Sequence, residues 1–319
     1  MACALTWGYM RAMLAWRRLE PPNERGMHAR AVPTGAGLAI VATAILLWPL
    51  SQALERIDIL LLAVTGGLAG VSWLDDHYRL SPAVRLAAHA AAVGLLLAVL
   101  PPDQRVMPFL PLIIERMLLG LGWLWFINLF NFMDGIDGIA GAEAIAVAFG
   151  YAAVAAVAGL ETPLAELALV LAAASGGYLV WNWHPARVFM GDTGSIPLGF
   201  LIGWLMIDLA CRGSWAAAII LPLYFAADAT ITLVKRLRRG EKPSQPHRQH
   251  FYQRAVLGGA TPPAVVGRIS AANVALIALA LLSLRWPLVS LAAAAGVVAL
   301  LLIELQRLAG PPISRAERT

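Results

Sequence analysis

LIIERMLLGLGWLWFINLFNFMDGIDG, residues 112–138, reads in two halves. From Leu112 to Phe130 it is almost wholly apolar, close to the roughly 20 residues a helix needs to cross a bilayer. Then it turns polar, with Asn131, Asp134 and Asp137, before an apolar stretch resumes at Ile139. The same alternation recurs along the chain. Apolar stretches cover about 37–54, 59–74, 86–100, 112–130, 139–160, 164–181, 195–210, 215–233, 264–284 and 287–305. A further one, 1–16, is short and interrupted by Arg11, which makes it a truncated first helix or an interfacial one. Composition agrees: 60% of residues are hydrophobic and 13% charged, against about 25% charged in soluble domains. So much apolar surface has to face lipid. The expected fold is an all-α polytopic integral membrane protein of about ten transmembrane helices plus a short N-terminal helix. A single domain is expected over residues 1–310, with a long polar loop at 234–262 and a tail at 311–319.

No cleavable leader is apparent, so these segments are expected to stay in the protein. Cys3 and Cys211 form no pairing or zinc pattern. A net charge of +5 is explained by the basic loops of a membrane protein, and nucleic acid is not an expected partner. Most Lys and Arg residues fall on one side of the alternating spans, Arg17, Arg18 and the Lys235–Arg239 run among them. The other side receives Arg56, Arg105, Arg116, Arg212 and Arg285. The positive-inside rule makes the first side cytoplasmic and puts the C-terminus there too. All six histidines, with Asp75, Asp76, Asp134, Asp137 and Asp192, fall on that face or at helix ends beside it. The opposite loops read as short and plain. The active face is therefore expected to be cytoplasmic.

Five segments on that face carry chemistry. In WLDDHYRLSPAVRL, Asp75 and Asp76 are adjacent carboxylates at the end of a span; such like charges call for a cation nearby, although a polar helix cap would look the same. In NLFNFMDGIDGIAG, Asn128, Asn131, Asp134 and Asp137 recur every third residue, which puts them on one face if the segment is helical. Oxygen ligands of this kind suit Mg²⁺, which keeps waters and bridges carboxylates to phosphates. In NWHPARVFMGDTGS, Asp192 lies between Gly191 and Gly194, a turn that can present N–H groups to phosphate while the acid holds a metal; Asn182, His184 and Arg187 add donors. The loop KRLRRGEKPSQPHRQHFYQRAV can neutralise a diphosphate or an anionic head group. An ordinary positive-inside loop accounts for Lys235–Arg239, but less well for His247, Arg248 and His250. NERGMHARAVPTGAG offers Arg25, His28 and Arg30 before a Pro/Gly turn. Together they fit phosphoryl transfer at a membrane interface. A transporter with an acidic cation or proton site is the alternative, and it needs acids at mid-membrane depth.

The ordered patterns D-D-x-x-x-L at 75–80, N-x-x-N-x-x-D-G-x-D-G at 128–138 and N-x-x-P-A-x-x-F-M-G-D-x-G-S at 182–195, with the His-containing last loop, resemble the polyprenyl-phosphate N-acetylhexosamine-1-phosphate transferases. These are glycosyltransferase family 4 enzymes related to the phospho-N-acetylmuramoyl-pentapeptide transferase. Within them the chain looks most like the O-antigen-initiating branch of the bacterial inner membrane. The resemblance implies a Mg²⁺-dependent reaction, with Mn²⁺ as a substitute. In it undecaprenyl phosphate attacks a UDP-N-acetylhexosamine and UMP leaves. It further implies that Asp192 and Asn182 hold metal and that Asp75 or Asp76 activates the lipid phosphate. Asn128, Asn131, Asp134, Asp137, Asn182 and His28 would position substrate, and Arg248 with His250 would contact diphosphate or sugar. Homodimers occur in the family, which leaves a dimer open. Two positions depart from the family pattern: Pro33-Thr34-Gly35-Ala36 lacks an expected arginine, and Phe251-Tyr252 follow His250 where paired histidines are usual.

Overall fold

A computed structural model describes residues 1–16, 19, 31–51, 53–78, 80–242 and 245–310. The described residues are helical throughout their ordered elements. In chain order these are α1 (Ala2–Ala15), α2 (Leu38–Ser51), α3 (Arg56–Tyr78), α4 (Pro82–Val99), α5 (Leu112–Phe132) and α6 (Ile139–Val157). There follow α7 (Leu164–Asn182), α8 (Asp192–Cys211), α9 (Trp215–Ile220), α10 (Leu223–Arg238), α11 (Phe251–Leu257), α12 (Pro262–Leu282) and α13 (Pro287–Leu308).

Eight of the described helices are long and apolar enough to cross a membrane. The expected span over 215–233 is divided instead. Pro222 has no N–H to continue the ladder, so α9 ends and α10 begins around it. Counting α2 and the α9–α10 pair as one pass each, ten passes occupy the ten apolar stretches. The N-terminal stretch is α1, packed on α7 and α2. Trp181 Nε1 donates to the Cys3 carbonyl at 3.1 Å, and Gly177 leaves room for that close approach.

At the centre stands α8, with every residue from Thr193 to Leu209 buried. It packs on α2, α3, α5, α6 and α9. Against α5, Trp123 stacks on Phe200 at 4.7 Å and donates from Nε1 to the Phe200 carbonyl at 3.0 Å. A helix buried all round needs an apolar surface all round, as α8 has. Its N-terminal end and the C-terminal end of α3 meet at one end of the bundle.

The polar loop expected over 234–262 is shorter and more ordered than its composition suggests. α10 runs on to Arg238, ending with Lys235, Arg236 and Arg238 in its last turn, where cations complement the helix dipole. Within the remainder, α11 forms. At the opposite end of the bundle the loops are not plain. Asp208 binds Arg212 and the Tyr151 hydroxyl. Buried Glu115 binds Arg105 and accepts from the N–H groups of Val106 (2.6 Å) and Met107 (3.1 Å). Acids withdrawn from water need such partners, and these fold the connection between α4 and α5. The expected tail at 311–319 lies outside the described residues.

Candidate active site

Asp75 and Asp76 lie in the last turns of α3, and Asp192 opens α8. The backbone that presents Asp192 is fixed by a strap, residues 33–37, which pairs with 189–190. Phe189 N–H donates to Pro33 O at 2.8 Å, Ala36 N–H to Phe189 O at 3.0 Å and Gly37 N–H to Met190 O at 3.0 Å. Gly191, at φ 68°, turns the chain into the helix. Gly37 and Gly194 pack backbone to backbone, with no space for a Cβ on either. Here lies the physical use of the Pro/Gly turn and of the glycines around Asp192: they bring two chain segments into direct main-chain contact.

Three carboxylates thus lie at this end of the bundle, two of them facing one cation. Arg85, in the first turn of α4, places Nη1 3.0 Å from Asp75 Oδ2 and 3.7 Å from Asp192 Oδ2. The cation that the Asp75–Asp76 pair called for is thus a guanidinium, supplied ten residues downstream. Asp76 accepts a hydrogen bond from Thr193 Oγ1 at 2.9 Å. The side chain of Asp75 is 11% exposed and that of Asp192 28%, so Asp75 is the more deeply set. Asp76 is exposed.

The Asn/Asp series at 128–137 does not share one helical face. Asn128 and Asn131 belong to α5, but α5 stops at Phe132, and Asp134 and Asp137 stand in the turn before α6. Gly138, at φ 82°, makes that turn. Asn128 donates to the Leu124 carbonyl of its own helix at 2.7 Å. Asn131 accepts from Ser195 Oγ at 3.1 Å, which joins α5 to the start of α8. Asp137 accepts from Ala186 N–H at 3.0 Å and lies 2.7 Å from His184 Nδ1. Asn182 is buried, and both ends of its amide are engaged: Oδ1 accepts from Gly138 N–H at 2.9 Å and Nδ2 donates to Val188 O at 2.8 Å. Asn182 thereby braces the 134–138 turn against the 183–190 loop.

The last loop is organised by two residues that the sequence reading passed over. Asp228 of α10, wholly buried, faces His250 Nδ1 at 3.1 Å and accepts from the N–H groups of Phe251 (3.1 Å) and Tyr252 (3.4 Å). Tyr224 and Thr232 donate their hydroxyls to it, each at 3.2 Å. Arg236, 2% exposed, donates to Glu241 at 2.9 Å and to the carbonyls of Lys242 (2.9 Å) and Gln245 (3.2 Å). The basic run therefore contains a buried hub as well as solvated charge. His250 is 3% exposed, stacks on Tyr252 (5.6 Å) and lies tilted against His247 (5.0 Å). Such burial suits a residue that positions the loop better than one that touches sugar. Arg248 is half-buried beside it. Tyr252 donates to the Phe132 carbonyl at 3.2 Å, and Gly135 lies against Tyr252 and Gln253. The last loop thereby supports the Asp134–Asp137 turn. One signal for Asp228 was available: an acid inside an otherwise apolar span is rarely idle.

His28, with Arg25 and Arg30, lies outside the described residues. The transporter alternative needs an acid at mid-depth with access. Glu143 of α6 is 1% exposed and held by Asn273 of α12 at 2.7 Å, sealed within protein.

Among the described residues no three His, Cys, Asp or Glu side chains close on one point. Asp75 and Asp192 both face one Arg85 nitrogen, at 3.0 and 3.7 Å. Two such carboxylates fit Mg²⁺, which keeps waters and completes its octahedron with substrate phosphates.

Residues 59–210 match the model of glycosyl transferase family 4. The chain is 29% identical over 259 residues to a Bacillus subtilis protein named "Probable undecaprenyl-phosphate N-acetylglucosaminyl 1-phosphate transferase", covering 76% of this chain and 70% of that one. It is 28% identical over 263 residues to the Escherichia coli K12 undecaprenyl-phosphate alpha-N-acetylglucosaminyl 1-phosphate transferase, with the same coverage of 76% and 70%. A shorter likeness, 48% over 80 residues and 25% of each chain, links it to the phospho-N-acetylmuramoyl-pentapeptide-transferase of Moorella thermoacetica.

Proposed function

We propose that this chain, whose residues 59–210 match glycosyl transferase family 4, moves a sugar-1-phosphate from a nucleotide sugar onto a polyprenyl phosphate at the membrane surface. The donor is a UDP-N-acetylhexosamine, the acceptor undecaprenyl phosphate and the second product UMP. The reaction opens the assembly of O-antigen or another surface polysaccharide, on the cytoplasmic face of the bacterial inner membrane. One observation carries this reading. Asp75, Asp76 and Asp192 meet at the end of the bundle where α3 stops and α8 starts. A lipid phosphate must also lie there, since its tail cannot leave the bilayer.

In the reaction an oxygen of the lipid phosphate bonds to the β-phosphorus of the donor. The bond from that phosphorus to the oxygen bridging the α-phosphate breaks, and UMP departs with the electron pair. Asp76 suits the task of accepting a proton from the acceptor phosphate. It is exposed at the end of α3 and accepts from the Thr193 hydroxyl beside Asp192. Asp75, tied to Arg85, serves better as a fixed negative charge. A divalent ion, when bound, would be held by Asp192 and Asp75 and would supply charge neutralisation between the two phosphate groups. The turn carrying Asp134 and Asp137 would receive the nucleotide-sugar, held rigid by Asn182 and Tyr252. Positioning and electrostatics are what phosphoryl transfer chiefly asks of a protein.

The test is direct. Purified protein is given undecaprenyl phosphate, Mg²⁺ and each of a panel of UDP-N-acetylhexosamines, and the lipid product is weighed by mass spectrometry. A lipid diphosphate sugar with stoichiometric UMP is expected. No lipid product from any donor, or undiminished activity in excess EDTA, would defeat the reading.

A further inference from the structure

We propose that Arg85 is a resident counter-ion which a divalent metal must displace, so that guanidinium and metal occupy the Asp75–Asp192 site in turn. The inference rests on the metal-assisted reading above. Its ground is the geometry: a single nitrogen, Nη1, lies 3.0 Å from Asp75 and 3.7 Å from Asp192. These carboxylates come from α3 and α8, far apart in sequence, and both are partly buried. Two such charges brought together repel strongly unless a cation stands between them. The guanidinium fills that place in the described structure, joined to both elements by one atom.

Its attachment suits exchange. Arg85 belongs to the first turn of α4, whose start is fixed by Ser81 accepting from Val84 N–H and by Pro82. The helix is therefore anchored while the long side chain, 36% exposed, reaches in from the rim. A compact double charge neutralises two carboxylates better than a delocalised single one. Metal entry then releases Arg85 toward the solvent side of the site, where its planar fork is suited to phosphate oxygens. The acid cluster is kept assembled in either state, and the cost of holding carboxylates together is never met by bare repulsion.

The experiment uses the full chain in detergent and Mn²⁺ as the probe, with affinity read by electron paramagnetic resonance and stability by thermal unfolding. Arg85→Gln removes the competing cation, so Mn²⁺ should bind on the order of fivefold more tightly, the scale of a partly exposed ion pair. In EDTA the same variant should melt below wild type, and Mn²⁺ should raise its melting temperature by more than it raises that of wild type. Arg187→Gln is the control: it deletes an exposed charge of the neighbouring 183–190 loop, where Arg187 lies over Trp181, and should leave Mn²⁺ affinity unchanged. If Arg85→Gln does not survive purification, Arg85→Lys, whose shorter stem reaches one carboxylate but not both, should still tighten Mn²⁺ by a smaller factor. Unchanged or weaker Mn²⁺ binding in the Arg85 variants would overturn the proposal, and so would equal tightening in Arg187→Gln. Wild type that binds no Mn²⁺ would overturn both the exchange and the metal reading. Wild type that shows the exchange but transfers no sugar phosphate would overturn the transferase reading alone.

Discussion

Replacing Asp228 tests how the last loop is held. Its carboxylate accepts from two main-chain N–H groups at the start of α11, those of Phe251 and Tyr252, and from the hydroxyls of Tyr224 and Thr232, with His250 Nδ1 alongside. A buried donor left without an acceptor costs about 1–3 kcal/mol. In Asp228→Ala the two N–H groups cannot re-aim, because the helix fixes them, whereas the hydroxyls and the imidazole can partly turn elsewhere. Counting the two N–H groups in full and the rest in part gives about 3–7 kcal/mol. Asp228→Asn keeps one oxygen for Phe251 and Thr232 but turns an NH₂ toward Tyr252 N–H, for about 1–2 kcal/mol. Titration with SDS in mixed micelles would measure both, and hydrogen exchange should speed up first across residues 250–257. Because Tyr252 supports Phe132 and the turn that follows, KM for the nucleotide sugar should rise while Mn²⁺ affinity holds. The reasoning is refuted if Asp228→Ala lies within about 0.5 kcal/mol of wild type, or if Asn costs as much as Ala.

Three further outcomes are expected. Asp76→Asn should lower turnover by about 10²–10⁴-fold without rescue by added Mg²⁺, whereas Asp192→Asn should regain part of its rate at high Mg²⁺; steady-state kinetics across a Mg²⁺ series would separate them, and equal rescue would undo the division of roles. Gly194→Ala puts a methyl group against the main chain of Gly37, 2.9 Å from its carbonyl carbon, where no rotamer change gives relief; a loss of about 1–3 kcal/mol should appear as a lowered melting temperature, and a neutral result would mean the strap is not seated as described. The Arg236 guanidinium bonded to Glu241 holds that carboxyl below its ordinary value of 4.5. Its support for the loop is thus full above that value and disappears as pH falls through the depressed one; hydrogen exchange across 239–249 should rise in that acidic window in wild type and show no such step in Glu241→Gln.

The sequence by itself determined that the chain is helical and membrane-spanning, and where the passes lie. Crossing a bilayer demands an unbroken apolar stretch with its backbone hydrogen bonds closed locally, and a local demand is written locally. Asp75, Asp76, Asn131 and Asp192 were legible for a related reason: small, polar and glycine-rich clusters between apolar runs stand out against their surroundings. The sequence did not determine which charge answers which. Arg85 looked like one more basic residue until α4 carried it between Asp75 and Asp192. Asp228 sat inside an apolar span with nothing nearby in sequence to explain it, its ligands lying in α11. Nor did the sequence show that Asn182 ties the Gly138 turn to Val188, or that His250 is buried on Asp228. The periodic spacing from Asn128 to Asp137 promised one helical face, but α5 stops at Phe132. Buried polar groups choose partners by proximity in space under the penalty for being left alone, and that proximity is created only when distant segments pack.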